Sequence, residues 1–242
     1  MNFQIAPSVN IGILYVFAIG SLAVYGVILA GWASNNKYSF IGALRSSAQL
    51  ISYEVPLGLS VLGMVLIAGS LDLNAIINWQ DRYVWGVLVS PVGFLIFLVS
   101  SFAETNRLPF DLPESEQELV GGFHTEYSAM KFGMFFLGEY LHVITISFVT
   151  VILFFGGWDL PFVLDQHQEG WIPAIAKLAV ISAKVGAMIV FIMWVRWTLP
   201  RFRYDTLMDT AWKRMIPLGL INVTATACIL YTLRDILGFE FY

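Results

Sequence analysis

Residues Ile11–Ala33 read IGILYVFAIGSLAVYGVILAGWA, a run with no charged side chain. A bilayer core about 30 Å thick needs roughly 20 apolar residues in helix, so this run is long enough to cross it. Working outward, the same pattern recurs at about 52–71, 83–103, 127–155, 172–199 and 214–235, which predicts six transmembrane helices. Four are nearly free of charge. The fourth contains Lys131 and Glu139, and the fifth contains Lys177, Lys184 and Arg196. No period-two alternation runs through these stretches, which argues against a transmembrane barrel.

Composition agrees with this pattern. Of 242 residues, 58% are apolar and 12% charged, against about 25% charged in a soluble domain. Mean hydropathy is +0.74. These figures exclude a soluble monomer and a disordered chain. With 13 Lys+Arg against 17 Asp+Glu, the net charge is −4, which argues against a nucleic-acid partner. The single cysteine, Cys228, excludes a disulfide framework, a structural zinc site and a cysteine-ligated iron–sulfur cluster within the chain. The N-terminus lacks the basic region of a cleaved signal. We read an all-α polytopic membrane protein forming one membrane domain over 1–242, without repeats or linkers. Ala179, Ala183 and Ala187 recur at a spacing that allows close helix contact in lipid.

Basic residues set the expected orientation. Lys37 and Arg45 lie in the first loop, Arg107 in the third, and Arg196, Arg201, Arg203, Lys213 and Arg214 in or beside the fifth. The second loop has Arg82, the fourth has none, and the C-terminus has Arg234. The odd loops are expected on the cytoplasmic side and both termini on the other. In the first loop, Phe40, Ile41, Leu44, Ala48 and Ile51 have the spacing of a short amphipathic helix lying in the interface, with Arg45 and Gln49 on other faces. A plain surface connector is the alternative.

The third loop, Glu104–Tyr127, reads ETNRLPFDLPESEQELVGGFHTEY and holds six of the 17 acids with Arg107 as its only cation. Asp111 and Glu114 have capping-box spacing, Pro113 suits a first helical turn, and Gly121-Gly122 would end the short helix. Glu114 and Glu118 share a helical face, where like charges repel. Crowded carboxylates hold protons near neutral pH. A solvated acidic loop is the plain reading. Acids interleaved with Phe110, Phe123 and Tyr127 between two apolar spans favour a functional one.

Glu139 lies about twelve residues into the fourth span, where an ionisable group is costly and needs a partner or a polar cavity. Lys131, His142, Lys184, Glu54 and Glu104 could join it in a chain of titratable groups. For Lys177 and Arg196, snorkelling to the interface is the simpler account. Glu139-x-x-His142 is half of a di-iron motif whose second half is absent. His124, His142 and His167 are too scattered for a haem pair or zinc triad. No nucleotide-binding motif is present.

The third loop, together with GWASNNKY (31–38) running on to Arg45 and Ser52-Tyr53-Glu54, FFLGEY (135–140) and LPRFRYD (199–205), closely resembles the H-subunit family of respiratory complex I, the NADH–quinone oxidoreductase, in its bacterial form. The resemblance implies a non-redox membrane subunit that forms the floor of a quinone chamber and couples quinone reduction to proton translocation. Arg45, Arg107, Phe110, Asp111, Glu114, Phe123, Arg201, Arg203 and Asp205 would lie at the chamber and its junction with the peripheral arm. Glu54, Glu104, Glu116, Glu118, Glu126 and Glu139 would form the proton path, and Lys184, for which snorkelling is geometrically hard, is read as joining it. No metal or cofactor is expected on this chain and no independent catalysis. Quinone is the substrate, and FMN and iron–sulfur clusters sit in partner subunits. The expected partners are the lipid bilayer, the peripheral-arm quinone module and small membrane subunits, in a bacterial plasma membrane. Members of the family usually have eight spans, so the first two helices are expected to be missing. A membrane subunit of an ion-pumping hydrogenase and a stand-alone carrier are the alternatives.

Overall fold

The computed structural model describes residues 10–111, 121–159 and 171–237. Helix α1 spans Gly12–Ala33 and α2 Lys37–Ala68, followed by two short helices, α3 at Leu73–Arg82 and α4 at Gly86–Val89. Then come α5 at Pro91–Glu104, a single 3₁₀ turn at Gly122–His124, α6 at Ala129–Phe154 and α7 at Trp171–Thr198. The last segment is α8 at Tyr204–Thr210, a π-helical turn at Ala211–Met215, and α9 at Ile216–Leu237. Among the described residues there is no strand. Among the described residues four helices, together with the continuous segment Tyr204–Leu233, are long and apolar enough to cross a bilayer. The chain is a multi-pass, all-α membrane protein.

Helix α2 is the axis of the bundle, packing against α1, α5 and α9. The Asn36 side chain caps its start by accepting from the Tyr38 amide at 3.0 Å. Gly69, at φ 68°, ends it with its amide on the Val65 carbonyl. The first loop forms no helix of its own: Lys37–Ile51 is the first half of α2. That half is turned inside out relative to a soluble helix. Ser39, Ser46, Ser47, Gln49 and Ser52 are buried, while Phe40, Ile41, Leu44 and Ile51 are exposed. The core follows on the second half, where Tyr53, Leu57, Val61 and Met64 meet Phe97 of α5 and Leu153 and Phe154 of α6.

The third apolar stretch departs from its expected form. Ser90 and Pro91 break it into α4 and α5, with Pro91 in the first turn of α5, where its missing amide costs nothing. The 14 residues of α5 rise about 21 Å, short of a full crossing on their own. Before the break lies α3, which the sequence did not predict, capped by Asp72 accepting from the Asn74 amide at 3.1 Å. Gln80 of α3 ties this region together. Its amide nitrogen donates to the Ile152 carbonyl at 2.8 Å, and its oxygen accepts from Gly86 and Gly156 at 2.9 and 3.0 Å.

Candidate functional site

The short turn after Glu104 is held by one buried side chain. Gln49 is fully buried. Its Nε2 donates to the carbonyls of Ala103 and Phe110 at 2.9 Å each and lies 3.3 Å from Asn106 Oδ1. The chain reverses there, with Asn106 at φ 50°, and Arg107 is carried back into the bundle. From the other end of the loop, the 3₁₀ turn presses on α2. A Cβ on Gly42 would stand 2.8 Å from Gly122 Cα, so glycine at 42 is what lets Phe123 and His124 approach. Ser39 reinforces the contact by donating to the Phe123 carbonyl at 3.1 Å.

These two anchors frame a half-open cavity of about 420 Å³ between α1, α2, the end of α5, the 3₁₀ turn and α6. Its lining is mostly apolar, with Glu54, Glu104, Glu139 and His142 as its ionisable groups. Glu139 Oε2 lies 3.3 Å from Arg107 Nη2, and both side chains are largely buried. The Arg107 guanidinium also sits 4.5 Å over the Tyr140 ring, a cation–π contact next door to its carboxylate. His124 Nε2 lies 3.8 Å from Glu139 Oε1. Its ring is wrapped by Phe123, Phe135, Phe132 and Phe136. Across the cavity, His142 Nε2 lies 3.5 Å from Glu104 Oε1. Helix α1 contributes Gly20, where a Cβ would stand 3.9 Å from that same oxygen.

A second group lies where the third and fifth loops meet. Arg201 donates to Asp111 Oδ2 at 3.1 Å, the Phe202 amide donates to the Pro109 carbonyl at 3.1 Å, and the rings of Phe110 and Phe202 are 5.6 Å apart. Arg203 pairs with Asp205 at 3.1 Å on the surface. Arg45 sits 5.5 Å over the Tyr204 ring. Beneath them Tyr53 donates to the Leu207 carbonyl at 2.9 Å.

The sequence-predicted residues therefore separate into places. Glu54, Glu104 and Glu139 come together, with Arg107 and Phe123 beside them. Arg45, Phe110, Asp111, Arg201, Arg203 and Asp205 form the loop junction. Glu126 stands apart from the cavity, accepting from Asn36 Nδ2 at 2.6 Å in an exposed contact. Lys184 is also elsewhere. It donates to the carbonyls of Phe155, at 2.8 Å, and Asp159, with its Nζ 5.2 Å from the Trp85 ring. Phe155 lies 16 residues beyond Glu139, roughly 24 Å along the helix axis. Glu114, Glu116, Glu118 and His167 lie outside the described residues. His124 and Gln49 were not among the predicted site residues, and His142 was named only as a member of the chain of titratable groups. His142 follows Glu139 by one helical turn, which hinted at a shared face, whereas nothing local marks Gln49 as a clamp.

Chemically, the cavity gathers carboxylates and imidazoles in pairs. Among the described residues no group of three or more His, Cys, Asp or Glu is arranged to hold a metal. At about 30 Å³ per molecule, the space has room for on the order of ten waters. Carboxylates, imidazoles and water in a mostly apolar bundle can bind and pass protons.

The family model described as NADH dehydrogenase matches residues 1–227. An NADH-quinone oxidoreductase H-subunit from Cytophaga hutchinsonii is 49% identical over 227 residues, covering 92% of this chain and 65% of the relative. The proteins of the same name from Protochlamydia amoebophila and Leptospira biflexa are 50% and 52% identical, covering 93% and 92% of this chain and 65% and 62% of theirs. The chain thus spans a little under two thirds of the length of these curated relatives.

Proposed function

Because the chain belongs to the NADH dehydrogenase family, we propose that it serves as a non-redox membrane subunit of a proton-translocating NADH:quinone oxidoreductase. Its site handles quinone and protons. Electrons reach the quinone from FMN and iron–sulfur clusters held by partner subunits, since one cysteine gives this chain no thiolate set for a cluster. The loop junction of Arg45, Phe110, Asp111, Arg201, Arg203 and Asp205 forms the chamber floor and the contact with the peripheral-arm quinone module. Small membrane subunits and lipid cover the bundle. The odd loops face the cytoplasm of a bacterial plasma membrane.

The observation that carries this reading is the convergence of Glu54, Glu104 and Glu139, from three different helices, on one cavity. An acid in an apolar bundle is costly unless paired or solvated. Three acids brought to one half-open cavity, with Arg107 on one of them, make a place where protons are taken up and released. Arg107 holds Glu139 from the loop side, so a change in the loop at the quinone end alters the charge balance at the cavity. That contact is the physical link by which quinone chemistry biases proton occupancy.

The test uses the assembled complex in inverted membrane vesicles. Glu104→Gln and Glu139→Gln should each depress NADH-driven proton uptake together with inhibitor-sensitive quinone reduction, at normal complex abundance. Wild-type coupled activity in both variants would remove the cavity from the mechanism.

A further inference from the structure

We propose that His142 exchanges protons directly with Glu104, so that the imidazole–carboxyl couple, rather than the carboxyl alone, carries the proton at this point of the cavity. The inference rests on the reading of the cavity as a proton route and deepens it by giving its histidine a stated step.

The geometry is specific. His142 Nε2 stands 3.5 Å from Glu104 Oε1, and His142 Nε2 and Glu104 Oε2 are buried without a hydrogen-bond partner among the described residues. Orphaned polar atoms in an apolar interior are costly. A histidine kept for packing is usually fixed by a hydrogen bond at one ring nitrogen. Here the nitrogen facing the acid is unbonded, and a proton shared with the facing Glu104 Oε1 satisfies it. A quarter of the His142 side chain remains accessible, toward the cavity it lines, so water can reach the ring.

The step balances. The neutral imidazole, carrying its hydrogen on Nδ1, takes the Glu104 carboxyl proton at Nε2. The O–H bond breaks, the N–H bond forms, and the product is an imidazolium beside a carboxylate. The pair as a whole stays neutral, which avoids creating a lone charge in a low-dielectric site. The proton then returns to Glu104, or the Nδ1 proton leaves to cavity water and the ring remains as the other tautomer, still donating to the carboxylate from Nε2. Two ring nitrogens make the residue a two-ended carrier, which a second carboxylate would not be.

The ionisable groups around the couple come from each packed element. Glu54 comes from α2, and Glu104 itself from the end of α5. Glu139 precedes His142 by one turn on α6. From the loop come Arg107 and His124, both directed at Glu139. Helix α1 brings only uncharged residues, and Gly20 leaves the space beside Glu104 Oε1 open. Arg107 is thus committed to Glu139, and His142 is the basic group left to Glu104.

The experiment compares His142→Gln with Glu104→Gln in the assembled complex in inverted vesicles. Complex abundance, protons taken up per quinone reduced, and the pH profile of quinone reduction are read together. Glutamine can replace the hydrogen bond of the ring but cannot become a cation. We expect normal abundance, loss of proton uptake and loss of one limb of the pH profile in His142→Gln. Wild-type coupling and an unchanged profile in His142→Gln, with coupling lost in Glu104→Gln, would overturn the histidine's role and leave the cavity reading standing. Retained coupling in both would overturn the cavity reading itself. Should His142→Gln fail to assemble, infrared difference spectra of the wild-type complex with isotope-labelled histidine decide the matter. An imidazole band that changes in step with the carboxyl band removed by Glu104→Gln is expected, and its absence sinks the proposal.

Discussion

The Arg107 guanidinium lies 3.3 Å from the Glu139 carboxylate, although the two residues are 32 positions apart and one belongs to a loop and the other to the interior of a long helix. Arg107 reaches this depth because Gln49 holds the backbone on both sides of it. Tyr140 then receives the other face of the guanidinium. A buried pair of this kind contributes modestly when whole and is expensive when half is removed.

The first prediction concerns that asymmetry. Arg107→Met should destabilise the assembled complex by up to about 3–5 kcal/mol, the usual cost of breaking a buried pair by removing one partner. Adding Glu139→Gln to it should restore part of the loss, with a coupling of about 0.5–3 kcal/mol. Thermal inactivation of wild type, both single variants and the double variant measures the cycle. Strict additivity would show that the contact carries no energy.

Gln49→Ala should release the loop. The buried Phe110 carbonyl loses its donor and the Ala103 carbonyl keeps, among the described residues, only the Asn106 amide at 3.4 Å, at about 1–3 kcal/mol for a group left unsatisfied. Protease cleavage near residues 103–111 in solubilised complex should accelerate, and quinone reduction should fall with it. Wild-type resistance would mean another donor replaces the amide.

A pair of glycines on one helix should respond in opposite ways. Gly42→Ala forces a Cβ to within 2.8 Å of the Gly122 backbone, so the 3₁₀ turn must move. Complex stability and activity should both fall. At Gly58 a Cβ meets nothing within 4 Å, and alanine should be neutral or stabilising by up to about 1 kcal/mol through helix propensity. Thermal inactivation midpoints of the two variants check the contrast.

Lys184→Met removes the donor to the Phe155 and Asp159 carbonyls at the far end of α6. The expected result is a less stable complex whose surviving fraction still translocates protons with the wild-type ratio and pH profile. A shifted profile at full stability would instead return Lys184 to the proton path.

The length and spacing of the apolar runs were enough to identify a helical membrane bundle, because crossing a bilayer imposes a local requirement on about 20 consecutive residues. The same logic marked Glu139 as a functional candidate, since its cost in the bundle is readable from its position alone. The break at Ser90-Pro91 was legible in principle from proline but was hidden by the apolar run around it. The seamless α2 was missed because Lys37 and Arg45 resemble loop residues until Ser39, Ser46, Ser47 and Gln49 are seen to face inward.

What the sequence alone determined is the fold class and the family, both properties of local pattern, and it singled out the acids as candidates. Only the tertiary structure decided which of them meet. It brought Glu54, Glu104 and Glu139 to one cavity, gave Arg107 to Glu139 and His142 to Glu104, and set Glu126 and Lys184 aside. Spacing along one helix fixes which residues share its face. Contacts between helices depend on where backbones cross and loops reverse, and here those depend on a buried Gln49 amide and a side chain missing at Gly42.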